Sequence, residues 1–248
     1  MKQFLSDLRL LYVNLKKTFT SWKMERQLKK EFFQDFSLYN SMASKGMEAG
    51  VRELRPCLWE KTSFTKIEPI YFYQDNWAFE RILKQRPSDH VDIGSHHKFV
   101  SFLSMTLNVT MIDIRPLSLP VNSLSFKEGS ILSLPYDSES IDSLSSLCVI
   151  EHIGLGRYGD EIDPLGSEKA FTEIDRVLKK GANFYFSVPV ELEGRVFFNA
   201  HRSFSENYLL ETLHNFEVID KKYIYGEKFE TTLRDGFGIG CYHLQKKT

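Results

Sequence analysis

Two carboxylates in the middle of the 248-residue chain stand where they could hold a ligand rich in hydroxyl groups. Asp92 lies in a short apolar run that ends in a turn at Gly94 and Ser95. Asp113 ends a second apolar run, about 20 residues further on, which is where nucleotide-binding α/β folds carry a ribose-binding acid. A carboxylate there can accept hydrogen bonds from both ribose hydroxyls. We therefore expect Asp92, Gly94, Ser95 and Asp113 to contact a nucleoside.

A second group of residues suits acid–base chemistry. Glu151 and His152 follow another apolar run, and an imidazole titrates close enough to neutral pH to act as a general base. The alternative is that the His152 ring only orients its loop by bonding main-chain carbonyl groups. His201, in the segment Asn199-Ala-His-Arg202, is the other candidate base.

Two arginines near these histidines could bind a phosphate or carboxylate of a substrate. They are Arg157 and Arg202, and ion pairs with neighbouring acids are the alternative role. Those acids, Asp160, Glu161 and Asp163, could in turn bind Mg²⁺ or Ca²⁺. They lack the spacing of a calcium-binding loop, so we favour a helix cap or contacts with sugar hydroxyls, and we expect no metal site.

The glycines of the Gly154–Gly159 segment match the spacing of a dinucleotide-binding fingerprint. That fingerprint belongs after the first strand and must open a helix at once. Here it follows the fourth predicted strand, and acidic residues interrupt it. We therefore expect these glycines, with Tyr158, to shape a substrate loop, and we disfavour NAD binding.

Strands and helices must alternate to bring these residues together. Hydrophobic periodicity and turn residues predict the following elements. The predicted strands cover 90–94, 109–113, 123–127, 141–149, 182–190, 216–225 and 237–245, and the predicted helices cover 77–84, 97–107, 166–180 and 206–214. Asp75 or Asn76 is the expected cap of the first helix. This order predicts a doubly wound α/β domain with a mostly parallel seven-stranded sheet and one antiparallel strand.

The composition excludes several classes of protein. A net charge of −1 offers no global field for nucleic acid. The three cysteines, at positions 57, 148 and 241, fit neither a disulfide framework nor metal-ligand spacing. No apolar run approaches the ~20 residues of a membrane span, and polar residues interrupt any signal peptide. We expect a cytoplasmic protein.

The first 68 residues are predicted to be a helical extension that precedes the α/β domain at 69–248. Apolar residues recur at helical spacing from Phe4 to Trp22, with lysines and arginines between them. Such a helix could rest on the inner face of an anionic membrane. The alternatives are packing against the domain or against a second subunit in a homodimer.

Several strings resemble those of class I S-adenosylmethionine-dependent methyltransferases over roughly residues 70–247. They are Asp92-Ile-Gly-Ser95, Asp113, the loop 128–135, the fourth strand with its following segment at 142–153, and the helix end and turn at 176–181. The string Glu151-His-Ile-Gly-Leu-Gly-Arg-Tyr-Gly-Asp160 and Asn199-Ala-His-Arg202 are more similar to an uncharacterised methyltransferase-like family associated with surface-polysaccharide genes.

The resemblance implies an S-adenosylmethionine-dependent enzyme that methylates a sugar hydroxyl of a surface glycan or of its precursor. It implies that Asp92, Gly94, Ser95 and Asp113 hold the cofactor, with Ser130 and Ile131 beside the adenine. Further residues would then meet the acceptor: His152, Glu151 and His201 as catalytic groups, and Arg157, Tyr158, Asp160, Asn199 and Arg202 as binding groups. The alternative is a methyltransferase-shaped binding or scaffold protein without catalysis, which the histidines at 96 and 97 suggest because they replace loop glycines.

Overall fold

Strand β1 (Asp89–Ile93) lies inside the sheet, and its position explains why Val91 and Ile93 are apolar. The computed structural model describes residues 2–115, 117–118 and 120–248, with the backbone alone for residues 2–20. Residues 90–93 are buried, and β1 pairs in parallel with β2 (Asn108–Asp113) on one side and β4 (Ile141–Leu147) on the other. Strands covered on both faces are usually apolar throughout, but β1 also buries His90 and Asp92, whose side chains are hydrogen-bonded to serines.

The remaining strands complete an eight-stranded sheet. They are β3 (Leu124–Glu128), β5 (Leu178–Val190), β8 (Phe216–Tyr225), β9 (Lys228–Glu230) and β10 (Gly238–Lys246). The strand order is β3-β2-β1-β4-β5-β10-β8-β9, and β10 runs antiparallel to both of its neighbours. Two short strands, β6 (Arg195–Phe197) and β7 (His201–Ser203), form a separate hairpin.

Helices cover both faces of the sheet. They are α2 (Pro69–Gln85), α3 (His97–Leu103), α4 (Gly166–Val177) and α5 (Glu206–Thr212), and a 3₁₀ turn spans Ile150–His152. Buried residues of α2 and α3 pack in one hydrophobic cluster, and those of α4 and α5 pack in the other. The predicted doubly wound α/β class is therefore confirmed. The sheet has eight strands rather than seven because β9 folds back on β8 as a short hairpin.

Several predicted boundaries were wrong, among them the ends of α3, at Leu103 rather than residue 107, and of β4, at Leu147 rather than residue 149. Helix α2 begins at Pro69, and its cap is Glu68, which accepts a hydrogen bond from the Ile70 amide, rather than Asp75 or Asn76. Helix α4 ends at Val177, so Gly181 is not its terminator. Gly181 lies inside β5 with φ +77°, where the pairing with β4 shifts register, which is the geometry of a β-bulge.

The chain divides into two compact units, Met1–Lys66 and Ile67–Thr248. The first contains the long helix α1 (Lys2–Met42) and a 3₁₀ turn at Val51–Glu53. The side chains of residues 1–20, which carry most of the predicted amphipathic stripe, lie outside the described residues. Among the helices that are described, none combines the length and hydropathy needed to cross a membrane.

Candidate active site

The carboxyl ends of β1, β2 and β4 meet at one edge of the sheet. The chain winds outward from β1 through β2 to β3, and it then returns to β4 on the other side of β1. In open α/β sheets, ligands bind in the crevice at such a reversal, beyond the carboxyl ends of the strands. Two adjoining cavities lie there, and each collects residues from a different set of elements.

The first cavity, which we call the Asp113 cavity, has a volume of about 150 Å³. It is walled by the ends of β1 and β2, the turn after β3 and the loop after β4, and its lining residues include Gly94, Ile112, Asp113, Ile114, Arg115, Ser130, Ile131, Leu132, Val149, His152, Tyr158 and Asp160. Asp113 Oδ1 accepts a hydrogen bond from the Arg115 amide at 2.7 Å, and the carboxylate is only partly buried. This carboxylate can therefore meet a ligand, with apolar side chains close by.

Gly94 is required where the turn after β1 passes the cavity. Its φ of +65° lies in the left-handed region, and a Cβ atom here would stand 3.2 Å from Val149 Cγ1 and 3.9 Å from Asp113 Oδ2. A larger residue would be strained and would intrude between the two strand ends. The glycine thus keeps the backbone of β1 open to a ligand beside Asp113.

Asp92 and Ser95 occupy a different position from the expected one. The Asp92 carboxylate is fully buried and accepts hydrogen bonds from Ser95 N at 3.0 Å, Ser95 Oγ at 2.6 Å and Ser145 Oγ at 2.5 Å. Burial is the main cause that raises the pKa of Asp92 to about 6. Ser95 Oγ also accepts from the Leu147 amide at 2.9 Å. Both side chains are turned into the protein interior, where their hydrogen bonds stabilise the turn after β1, and neither lines the Asp113 cavity.

The second cavity, which we call the Glu151 cavity, has a volume of about 410 Å³. It shares four wall residues with the Asp113 cavity: Gly94, Cys148, His152 and Tyr158. Glu151, Arg157 and His201 also line it. A ligand in one cavity would therefore lie against a ligand in the other, with His152 at their boundary.

Glu151 is a buried acid that faces this cavity. Its side chain is 2% exposed, and Oε2 accepts no hydrogen bond from the residues described. Burial raises the pKa of Glu151 to about 8, so the carboxyl group keeps its proton at neutral pH. A buried carboxyl with a raised pKa in a cleft is typical of a functional site.

His152 has one ring nitrogen engaged and the other available. Nδ1 lies 2.6 Å from the Ala200 carbonyl oxygen, which can only accept, so Nδ1 carries the hydrogen. Burial lowers the pKa of His152 to about 4, so the ring is neutral at pH 7. Nε2 then has a free lone pair, 3.7 Å from Glu151 Oε1. The ring both orients its loop and offers a base.

Three further predicted residues converge on the Glu151 cavity. His201 has a lowered pKa, chiefly through burial, and among the described residues its Nε2 has no hydrogen-bond partner. Arg157 donates to the Ala200 carbonyl oxygen at 3.1 Å. The Tyr158 ring lies between two guanidinium groups, with Arg115 at 4.7 Å and Arg157 at 5.1 Å from its centroid. This ring forms the wall that the two cavities share.

The acidic residues of the glycine loop serve the main chain. Asp160 accepts hydrogen bonds from the amides of Gly154, Gly156 and Tyr158, and it also borders the Asp113 cavity. Asp163 accepts from the Leu165 amide at the start of α4 and pairs with Lys169. Within the described part of the chain, no three His, Cys, Asp or Glu side chains are grouped to hold a metal ion.

Two predicted binding residues lie away from both cavities. Arg202 is buried and donates to the carbonyl oxygens of Ile153, Asp163 and Pro164 and to Ser167 Oγ, so it fastens the glycine loop to α4. Asn199 occupies a left-handed turn position with φ +60°, and its amide points at the Leu155 carbonyl oxygen at 3.5 Å. Arg202 therefore does not line either cavity, and among the described residues it forms no ion pair with an acidic side chain, which was its alternative role.

The sequence did not reveal the role of Cys148 or Arg115. Cys148 was expected inside a strand, but β4 ends at Leu147, and Cys148 stands at the shared wall of the cavities with φ +52°. Burial raises the pKa of its thiol, which is therefore protonated. Cys148 directly follows the fourth strand, and Arg115 lies two residues after Asp113. These two positions were the signals in the sequence that could have identified them as cavity residues.

Part of the chain matches a family whose function is unknown. Residues 126–234, less than half of the chain, match a family described as Caenorhabditis protein of unknown function, DUF268. That region contains both the Glu151–Asp160 and the Asn199–Arg202 strings. No curated protein sequence matches the chain.

Three solved structures illustrate the likeness in fold. The [4+2]-cyclase SpnF is 16% identical with a TM-score of 0.57, over 77% of this chain and 86% of its own. The 1,6-didemethyltoxoflavin-N1-methyltransferase of Burkholderia thailandensis, solved with S-adenosylhomocysteine, is 16% identical with a TM-score of 0.55, over 73% and 80%. The N-methyltransferase NodS of Bradyrhizobium japonicum is 13% identical with a TM-score of 0.54, over 73% and 98%.

The chain has the class I methyltransferase-like fold. At these identities the likeness shows the fold alone, and SpnF, described as a cyclase, illustrates that a fold can host different activities. Function must therefore be argued from the two cavities.

Proposed function

We propose that the protein is an S-adenosylmethionine-dependent methyltransferase whose acceptor is a sugar hydroxyl, in a surface glycan or its precursor. The single observation that carries the proposal is the pairing of a partly exposed carboxylate at the end of β2 with a glycine turn at the end of β1. Both face one cavity at the point where the strand order reverses. A second cavity with neutral acid–base groups adjoins it.

The lining of the Asp113 cavity matches the nucleoside part of the cofactor in its chemistry, and the cavity, at about 150 Å³, must widen to admit a nucleoside. The Asp113 carboxylate would accept hydrogen bonds from the ribose hydroxyls. Gly94, which has no side chain, would leave room for the methionine part of the cofactor. Ile112, Ile131 and Leu132 offer an apolar lining for a purine ring. Bound in this way, S-adenosylmethionine supplies a methyl group on a sulfonium, open to in-line displacement.

The Glu151 cavity fits an oxygen nucleophile that must lose a proton. His152 Nε2 would accept the proton of the acceptor hydroxyl, and the bond from Nδ1 to the Ala200 carbonyl keeps the ring in the required tautomer. Protonated Glu151 would donate a hydrogen bond to another acceptor oxygen, while Arg157 and His201 offer further polar contacts. The side chains would thus orient the acceptor and remove one proton.

Calorimetric titration with S-adenosylhomocysteine tests the cofactor assignment. We expect binding by the wild type and a loss of about a hundredfold or more in affinity for Asp113→Ala, because two hydrogen bonds to a charged acceptor, each worth about 1.5 to 3 kcal/mol, are removed. Asp142→Ala is the matched control, since Asp142 is 68% exposed and pairs with Lys179 at the other end of the sheet. Absence of binding by the wild type, or equal affinity for the two variants, would refute the proposal.

A further inference from the structure

A third concave surface, which we call the aromatic groove, lies between α2 and α3. It has a volume of about 540 Å³, and half of its lining residues are tyrosine or phenylalanine: Tyr71, Phe72, Phe79, Phe99 and Phe102. Phe72 is 51% exposed and Phe102 is 68% exposed, although large apolar side chains usually lie in the core. Grouped rings left open to solvent are typical of a binding surface.

Polar side chains are interleaved with these rings. Glu68, Asp75, Asn76 and Lys98 also line the groove. Asp75 is partly buried, and burial raises its pKa to about 7. If a lipid chain or an aryl group occupied the groove, these carboxyl groups would lose their hydrogen bonds with water and gain none in return. That loss costs free energy. The groove therefore suits a ligand that has both apolar faces and hydroxyl groups.

The groove adjoins the Glu151 cavity. Glu68, Tyr71 and His96 line both, and the Tyr71 and His96 rings lie 5.0 Å apart at the junction. A molecule whose reacting hydroxyl lies beside His152 can therefore extend past Tyr71 into the groove. The groove is large enough to hold more than a small substituent of that molecule.

We propose that the aromatic groove binds the sugar rings next to the one that is methylated, so that the acceptor is an oligosaccharide. This inference rests on the proposed function. The C–H faces of a sugar ring pack on aromatic faces, whose quadrupole is negative, and carboxyl and amide groups hydrogen-bond to hydroxyls. Lys98 is the one lysine or arginine in the lining and Glu68 faces the same space, so the groove lacks the cluster of cationic groups that the diphosphate of a nucleotide-activated sugar requires.

Leucine and tryptophan substitutions at the two exposed rings test this proposal. Leucine keeps apolar contact without an aromatic face, and tryptophan keeps the face. The variants are Phe72→Leu/Phe102→Leu, Phe72→Trp/Phe102→Trp and, as a control, Met105→Leu. Met105 is 74% exposed and follows α3, outside the groove lining. The probes are a printed array of neutral oligosaccharides of graded length, and UDP-glucose by calorimetry.

The expected result is retention of oligosaccharides by the wild type, the tryptophan variant and the control. Retention by the leucine variant should be weaker by about tenfold, the sum of two lost stacking contacts. Equal retention by the leucine variant, binding of UDP-glucose alone, or no saccharide binding would overturn the proposal. Titration of every variant with S-adenosylhomocysteine separates this proposal from the proposed function. Groove substitutions should leave the affinity for S-adenosylhomocysteine unchanged. If the wild type does not bind S-adenosylhomocysteine, the proposed function is refuted.

Discussion

The Asp113 cavity and the Glu151 cavity share a wall but are lined by different kinds of chemical groups. The first consists mainly of strand ends, a glycine turn and apolar side chains, with the partly exposed carboxylates of Asp113 and Asp160. The second contains a buried acid whose pKa is raised to about 8 and a histidine whose pKa is lowered to about 4. The first cavity is defined mainly by its shape. The second is defined by its titratable groups, of which Glu151 and His152 are largely buried.

This difference separates binding from chemistry. Main-chain turns and small residues can shape a site without loss of stability, whereas a buried ionisable group costs free energy unless it stays neutral. Proteins keep such groups mainly where their protonation is used. We therefore expect substitutions in the Asp113 cavity to change affinity, and those in the Glu151 cavity to change rate and pH dependence.

The largest expected effect is on the rate of methyl transfer. His152→Ala removes the base, so the initial rate of S-adenosylhomocysteine production should fall by about 10²-fold to 10⁴-fold. The affinity for S-adenosylhomocysteine should stay within about threefold, which is less than 1 kcal/mol. His214→Ala, at an exposed histidine after α5, is the control. An unchanged rate in His152→Ala would leave the ring with only its structural role.

Arg202→Ala should act on folding, because its side chain fastens the glycine loop that carries Arg157 and Tyr158. It leaves three carbonyl oxygens and one hydroxyl without their donor, and we expect the free energy of unfolding to fall by about 3 kcal/mol. Lys84→Ala, at a side chain 66% exposed, should cost less than about 0.5 kcal/mol. Urea denaturation measures both. Wild-type stability with lost acceptor binding would instead support the substrate-binding role that the sequence suggested.

Glu151 should make stability depend on pH. Its pKa is about 8 in the folded protein against an ordinary 4.5, so the folded state keeps a proton that the unfolded chain releases. The stabilisation from this proton is complete below pH 4.5 and is lost as pH rises to 8. Relative to Glu151→Gln, the free energy of unfolding of the wild type should fall by about 1.4 kcal/mol per pH unit in that window. Parallel curves for the two proteins would show that the Glu151 pKa is not raised.

The sequence predicted the fold well where local pattern and tertiary pairing agree. Strand β8 spans the predicted residues Phe216–Tyr225, since its apolar run ends at Gly226, which has φ +61°. The start of α2 was missed because Tyr71, Phe72 and Tyr73 did not suggest a helix, although Pro69 suits the first helical position. Leu178 was assigned to a helix, but its pairing with Ile141 places it in β5.

The candidate site shows a similar limit. The sequence pattern marks which polar residues stand near strand ends, and Asp113, His152 and Glu151 are among those that line the cavities. It does not indicate which way a side chain turns. Asp92 and Ser95 lie on either side of Gly94 in the sequence, yet both turn inward to bond to each other. Arg202 likewise satisfies carbonyl oxygens of a loop that lies about 40 residues earlier in the chain.

A crystal structure with S-adenosylhomocysteine tests the central claim most directly. The account predicts electron density for the nucleoside in the Asp113 cavity, with both ribose hydroxyls on the Asp113 carboxylate and the purine beside Ile131. It also predicts that the sulfur lies toward His152, at the wall shared with the Glu151 cavity. A nucleoside bound elsewhere, or the absence of nucleoside density from the Asp113 cavity at saturating ligand, would contradict it.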